Sequence, residues 1–128
     1  MGTLVSISTT RVVIVDDQPE FRHFAREMLE NDISLTVVGE AREAQTAFQL
    51  VKALMPDIVL MDMDMPQMNG IEAIEWLRVR FTAVQAVLVS IHDESEYLPL
   101  ALEAGAIDFI DKRDFTPQRV RSALAMAS

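Results

Sequence analysis

Five short runs of apolar, largely β-branched residues alternate with stretches of helical spacing, and this alternation restricts the fold more than any other feature of the chain. Each run is apolar throughout rather than alternating with polar residues, which is typical of parallel strands covered by helices on both faces. The predicted strands are residues 12–15, 35–38, 58–61, 86–89 and 107–110, and the predicted helices are residues 19–31, 42–54, 70–80, 94–104 and 117–126.

Five parallel strands that are joined by helices fit few topologies, because helical crossovers between parallel strands are right-handed in nearly all proteins. We therefore predict an α/β fold: a doubly wound five-stranded parallel sheet with flavodoxin-like strand order 2-1-3-4-5 and five helices. Residues 1–10 are predicted to be a lead-in. Residues 11–128 are predicted to form a single domain, whose size is usual for one hydrophobic core.

Residues at the predicted ends of helices and strands support these boundaries. Asn69 is followed three residues later by Glu72, a capping-box pattern that predicts the start of the third helix. Gly105 is expected to end the fourth helix, because glycine tolerates the left-handed backbone conformation found at that position. Gly39 is expected to close the second strand.

Composition excludes several classes of function. The sequence has no cysteine, which excludes a disulfide scaffold, a zinc–cysteine site and a thiol nucleophile. No apolar run approaches the roughly 20 residues of a membrane span. The first residues also lack a signal-peptide pattern, so we expect a cytoplasmic protein without membrane contact. A net charge of −9 repels nucleic acid, so we expect no direct nucleic-acid contact, whereas a cation or a basic protein surface would be attracted.

Polar residues follow four of the five predicted strands. Asp16 and Asp17 follow the first strand, Asp62 the third and Ser90 the fourth, and Lys112 comes shortly after the fifth. Ligands of open parallel sheets bind beyond the carboxyl ends of the strands, so these side chains are expected to converge. Clustered carboxylates favour a hard divalent ion such as Mg²⁺. One carboxylate could then accept a phosphoryl group, whose oxygens a lysine and a hydroxyl would bind.

Four segments together carry a resemblance to a known family. They are VVIVDD at 12–17, DIVLMDMDMPQMNG at 57–70, VLVS at 87–90 and AGAIDFIDK at 104–112. In this order and spacing they resemble the receiver domain of bacterial two-component response regulators, over residues 11–127. The resemblance implies that Asp62 accepts a phosphoryl group from a histidine kinase or a phosphorelay protein, and that a conformational change then controls an output.

The resemblance also implies a Mg²⁺ site around Asp62. Asp62 itself would bind the ion, Asp17 would bind it directly and Asp16 mainly through water. The backbone carbonyl of Asp64 would complete the protein ligands. These four residues would thus serve one cofactor.

Further roles follow from the same resemblance. Ser90 would hydrogen-bond the phosphoryl group, and Lys112 would pair with it. Ser90 and Phe109 would form a switch, in which the aromatic ring moves inward as the hydroxyl shifts toward the phosphate. Ile91 departs from the small residue that is usual in the family and is expected to narrow access to Asp62, while His92 occupies a variable position beside the site, as does residue 64.

The output and the partners stay open at this point. The segment VVGEA at 37–41, and Lys112 without a following proline, are most similar to the subfamily with a helix-turn-helix output domain. No such domain is present in this sequence, so an output domain of a longer protein would be missing from it. A homodimer through the first and last helices, or through the fourth and fifth, is a further expectation.

Two other functions compete with the phosphoacceptor hypothesis. A scaffold that keeps the fold without phosphorylation would result if Ile91 blocks Asp62. Residues 61–64 also resemble the Asp-x-Asp start of haloacid-dehalogenase-type phosphatases, in which Asp62 would be the nucleophile and Asp64 the acid/base. The acidic pair at 16–17 precedes this motif, whereas that phosphatase family places its acidic pair after the lysine.

Overall fold

A computed structural model describes residues 8–127, which form one five-stranded parallel sheet with helices on both faces. The strand order is β2-β1-β3-β4-β5, and all four neighbouring pairs are parallel. The predicted doubly wound α/β fold is therefore confirmed. The elements are β1 (Thr10–Val15), α1 (Pro19–Glu30), β2 (Leu35–Ala41), α2 (Ala44–Leu54), β3 (Ile58–Asp62), α3 (Gly70–Arg80), β4 (Gln85–Ser90), α4 (Glu94–Ala104), β5 (Asp108–Asp111) and α5 (Pro117–Leu124).

The sheet separates two apolar cores. Successive side chains of a strand point to opposite faces. Val13, Val15 and Met61 pack with α2, α3 and α4 on one face, while Val12 and Ile14 pack with α1 and α5 on the other. All five side chains are almost fully buried. Burial on both faces explains why the strand sequences are apolar throughout.

The predicted end of the second strand at Val38 is wrong. β2 continues to Ala41, because a register shift next to Val13, which pairs with Gly39, lets the strand pass through the glycine. The extension matters for the site, since the Asp16 N–H donates to the Ala41 carbonyl at 3.0 Å. β2 thereby supports the turn that follows β1.

Other boundaries differ by a few residues. β1 begins at Thr10, whose N–H donates to the Ser34 carbonyl at 2.8 Å. Thr10 is therefore part of the sheet rather than of the predicted lead-in 1–10, of which residues 1–7 lie outside the described residues. The second helix begins at Ala44 rather than at residue 42, and α5 ends at Leu124, followed by a short 3₁₀ turn. The domain limits 11–128 stay a prediction.

The predicted helix-end signals are confirmed. The Glu72 N–H donates to Asn69 Oδ1 at 2.9 Å, and the Asn69 N–H donates to Glu72 Oε1 at 3.1 Å. This capping box satisfies two backbone donors at the start of α3. Gly105 follows α4 with a left-handed φ of 109°. Between residues 8 and 127, none of the helices is long and apolar enough to cross a bilayer.

Candidate functional site

The carboxyl edge of the sheet brings together side chains from β1, β3 and β5. Asp16 directly follows β1, Asp62 ends β3 and Lys112 directly follows β5. The Lys112 ammonium Nζ lies 2.7 Å from Asp16 Oδ2 and 3.1 Å from Asp62 Oδ1. The structure thus places these three residues together, as the strand ends predicted, and the lysine bridges two carboxylates.

Three carboxylates at this edge fit a divalent cation. Asp16, Asp17 and Asp62 each offer an oxygen, and these oxygens lie within 4.8 Å of one another. Asp16 and Asp62 are 1% and 3% exposed, whereas Asp17 is exposed. Asp16 Oδ2 is buried without a well-aligned hydrogen bond, although Lys112 lies close to it. One ammonium group does not neutralise three neighbouring carboxylates, and Mg²⁺ prefers oxygen ligands, so the donor set suits this ion.

The two buried carboxylates alter the acidity of the groups around them. The pKa of the Asp62 carboxyl is raised from 3.8 to about 6 by burial and then by the charge of Asp16, while Lys112 acts in the opposite direction. Burial lowers the pKa of Lys112, but its contacts with Asp16 and Asp62 outweigh burial, so that the pKa is raised overall. In the absence of a cation, Asp62 therefore holds a proton more readily than an ordinary aspartate does.

Asp62 should make the cation-free chain less stable as the pH rises. The folded carboxyl keeps its proton up to about pH 6, whereas an unfolded one loses it near 3.8. The folded state binds more protons between these values, so stability falls as the pH rises through them. Above this range we expect Asp62→Asn to exceed the parent chain in free energy of unfolding, by up to about 3 kcal/mol. The difference should vanish at pH values below the unfolded pKa. Urea unfolding in EDTA measures it, and a difference independent of pH would contradict the raised pKa.

Lys112 is also held by aromatic packing. Its Nζ lies 4.6 Å from the centroid of the Phe21 ring, which belongs to α1. Phe21 in turn meets the Phe115 ring edge-on at 5.4 Å. A cation over an aromatic face is attracted by the ring, so α1 helps to direct the ammonium toward the carboxylates.

The rim of the site contains a contact between two loops. The cleft of about 130 Å³ is lined by Asp17, Gln18, Asp62, Asp64, Ile91 and Lys112. His92 Nε2 lies 2.7 Å from Asp64 Oδ2, and the His92 ring stacks on Tyr97 of α4 at 4.9 Å. Ile91 is 64% exposed, so its side chain borders the cleft and does not fill it. The expected narrowing of access by Ile91 stays a prediction.

Ser90 and Phe109 are both fully buried. Ser90 ends β4 directly after Val89, which pairs with Asp62, and its Oγ accepts a hydrogen bond from the His92 N–H at 3.0 Å. The Phe109 ring lies in the apolar core on the α2–α4 face. The ring is thus already in a buried, inward orientation in this structure, and no outward orientation is seen. The switch role of the two residues stays a prediction.

Gly70 connects the phosphoacceptor candidate with α3. It is the first residue of α3, and its N–H donates to the Met63 carbonyl at 2.9 Å. A Cβ atom at this position would lie 2.3 Å from the backbone oxygen of Asp62 and 2.9 Å from a methyl of Leu88. The backbone of Asp62 cannot move away from an added Cβ without shifting the end of β3. The absence of a side chain at residue 70 therefore permits the close approach of α3 to the site.

Gly70→Ala should therefore destabilise the fold. We expect the free energy of unfolding to fall by about 2 kcal/mol, because an added methyl group overpacks a rigid contact. Gly39→Ala is the matched control, since its Cβ would meet only flexible leucine methyls, at 3.3 Å or more. Urea unfolding of both variants measures the effect, and equal losses in the two would refute this role of Gly70.

Sequence reasoning did not find four contacts of the site. The Gln18 N–H donates to Asp16 Oδ1 at 2.8 Å, and Arg22 Nη1 donates to the Asp16 carbonyl at 2.6 Å. Phe21 lies under Lys112, and His92 contacts residue 64 across 28 positions of sequence. Only the Gln18 contact is local enough to have a sequence signal, the turn typical of an aspartate two residues upstream.

Comparison with known proteins identifies the family of this chain. Residues 12–125 match the family described as the response regulator receiver domain. The chain belongs to this family. The haloacid-dehalogenase-type alternative is left without support, because the match covers nearly the whole chain.

The receiver domain has relatives of different kinds. It is 33% identical to the transcriptional regulatory protein DegU of Brevibacillus brevis over 112 residues, which are 88% of this chain and 48% of DegU. It is 39% identical over 104 residues to the protein-glutamate methylesterase/protein-glutamine glutaminase of Pseudoalteromonas atlantica, covering 80% of this chain and 27% of that protein. The chain therefore spans half or less of the length of these relatives.

A solved structure supports the same assignment. The signal receiver domain of the response regulator NarL from Mycobacterium tuberculosis has a TM-score of 0.83 and 35% identity, covering 94% of this chain and 96% of that one. Since the named relatives differ in activity, family membership identifies the receiver domain of a two-component response regulator but not its output.

Proposed function

We propose that this receiver domain accepts a phosphoryl group on Asp62 from a histidine kinase or a phosphotransfer protein, with Mg²⁺ as cofactor. The observation that carries the proposal is the pair of buried carboxylates of Asp16 and Asp62, which share the single ammonium group of Lys112. Paired, buried carboxylates are a poor way to stabilise a fold. They are well suited to binding a cation, beside which one of them can accept a phosphoryl group.

The chain's own residues account for the chemistry of transfer. A carboxylate oxygen of Asp62 attacks phosphorus, and the bond from phosphorus to the donor's imidazole nitrogen breaks, its electron pair returning to nitrogen. Mg²⁺, held by Asp16, Asp17, Asp62 and the backbone carbonyl of Asp64, would neutralise charge on the phosphoryl oxygens. Lys112, which is 3.1 Å from Asp62 Oδ1, pairs with one oxygen of the transferred group.

The hydroxyl of Ser90 supplies the remaining contact. It accepts from the His92 N–H through a lone pair, so its own proton is free to donate to a phosphoryl oxygen. Ser90 and Phe109 lie on adjacent strands β4 and β5, and movement of the hydroxyl would change the surface formed by these strands with α4 and α5. This surface is the proposed output face, toward a further domain of a longer protein or toward a second copy.

Phosphorylation of the parent chain tests the proposal directly. Incubation with Mg²⁺ and acetyl phosphate, or with a phosphorylated histidine kinase, is expected to add the mass of one phosphoryl group. The modification should be labile to hydroxylamine, as an acyl phosphate is. Absence of any mass increase with both donors would count against the proposal.

A receiver scaffold without phosphorylation is the second candidate, and the position of Ile91 at the rim favours it. Ile91→Ala separates the two. If the isoleucine blocks Asp62, only the variant will be labelled by acetyl phosphate. Labelling of the parent chain would exclude the scaffold.

A further inference from the structure

Arg22 on α1 reaches the acidic turn that follows β1. Its Nη1 donates to the backbone carbonyl of Asp16 at 2.6 Å, and its Nε lies 3.4 Å from Glu40 Oε1 on β2. The side chain is only 21% exposed, so its path to the turn is confined by packing. Arg22 therefore ties the turn to both α1 and β2.

Asp17 depends on its backbone for its orientation. Its carboxylate is exposed and has no hydrogen bond or ion pair within residues 8–127. The peptide group between Asp16 and Asp17 is planar and includes the Asp17 N–H and Cα, so a contact that holds the Asp16 carbonyl oxygen also restrains the position of the Asp17 Cα. Arg22 supplies this contact. The hydrogen bond from the Gln18 N–H to Asp16 Oδ1 closes a turn around the same peptide, and the Asp16 N–H is held by β2. Arg22 adds the contact at the carbonyl oxygen itself.

We propose that Arg22 is a positioning residue for Mg²⁺, which holds the Asp16–Asp17 peptide so that the Asp17 carboxylate faces the site formed with Asp62. This inference rests on the proposed function. The expected effect of removing Arg22 on the affinity for Mg²⁺ is opposite to the effect expected from charge alone. A guanidinium near a cation site repels the cation, so its removal would tighten Mg²⁺ binding if charge alone mattered. Preorganisation of a ligand predicts that removal weakens binding.

Arg26 is a matched control on the same helix. It carries the same charge and contacts the other oxygen of the same carboxylate, with Nε 2.5 Å from Glu40 Oε2. Its second contact is with Glu30 at 3.2 Å. Arg26 thus shares the environment of Arg22 but does not touch the acidic turn.

Mg²⁺ titration of the full chain by isothermal calorimetry tests the role of Arg22. We expect Arg22→Ala to raise the Kd for Mg²⁺ roughly 10-fold, as is usual when a residue that orients a metal ligand is lost. Arg22→Lys should also raise the Kd although it keeps the charge, because an ammonium lacks the planar fork that contacts the carbonyl and Glu40 together. Arg26→Ala should leave the Kd nearly unchanged.

The outcomes separate the inference from the proposed function. Thermal unfolding in EDTA checks that each variant is folded, and Arg22→Lys decides alone if Arg22→Ala is not. Unchanged or tighter Mg²⁺ binding by the Arg22 variants, or equal weakening in Arg26→Ala, would overturn the positioning role. If the parent chain itself binds no Mg²⁺, the proposed function fails and takes the inference with it.

Discussion

Asp62→Asn should abolish phosphorylation of this receiver domain. The amide has nearly the shape of the carboxylate but lacks its charged, nucleophilic oxygen, so no acyl phosphate can form. Asp62 is 3% exposed and ends a strand of the central sheet, and an isosteric change at such a position leaves the packing intact. We expect no increase in intact mass after incubation with Mg²⁺ and acetyl phosphate, under conditions that label the parent chain.

Asp111→Asn is the control for this variant. Asp111 ends β5 at the same edge of the sheet, but its carboxylate accepts hydrogen bonds from Arg113 at 2.9 and 2.5 Å. These hydrogen bonds hold the pKa of Asp111 low, at about 2. Asp111 is therefore an ionised carboxylate near the site that pairs with Arg113. Asp111→Asn should be labelled like the parent chain. Labelling of Asp62→Asn at a normal level would show that another residue is the acceptor.

Most of the fold was predictable because strands that are buried on both faces have continuous apolar sequences. The runs that contain Val12, Ile58 and Val87 have no polar residue to mark an exposed face, and a parallel sheet covered by helices on both faces buries such runs. The end of β2 was missed for a physical reason. Gly39 has the local signature of a stop, but its role is decided by pairing with Val13 of β1, which no local pattern records.

The site was predictable at the level of strand ends but not at the level of contacts between loops. Asp16, Asp62 and Lys112 converge because parallel strands end at one edge, a consequence of topology alone. The contact of His92 with residue 64 and the hydrogen bond from Arg22 depend on how the loops and α1 pack against the sheet. Those placements follow from packing of whole elements, so the sequence carries no short-range signal for them.

Asp17→Ala should weaken Mg²⁺ binding by about 100-fold or more, because even residues that only orient metal ligands change affinity by roughly 10- to 100-fold and Asp17 would be a direct ligand. The same variant should not lose stability in EDTA. The Asp17 carboxylate has no partner in the described part of the chain and stands within 4.8 Å of two other carboxylates, so its removal relieves repulsion.

The two expectations give Asp17 a signature that a structural aspartate would not show. Mg²⁺ should raise the thermal midpoint of the parent chain, since a ligand that binds only the folded state stabilises it, and this increase should disappear in Asp17→Ala. Glu20→Ala removes an equal charge from an exposed position in the first turn of α1, and we expect it to keep the full Mg²⁺ effect. If Glu20→Ala loses as much affinity as Asp17→Ala, Mg²⁺ is attracted by the general acidity of this edge. Mg²⁺ would then be attracted without being coordinated at a defined position. Phosphoryl transfer to Asp62 would lack the fixed cation that its chemistry requires.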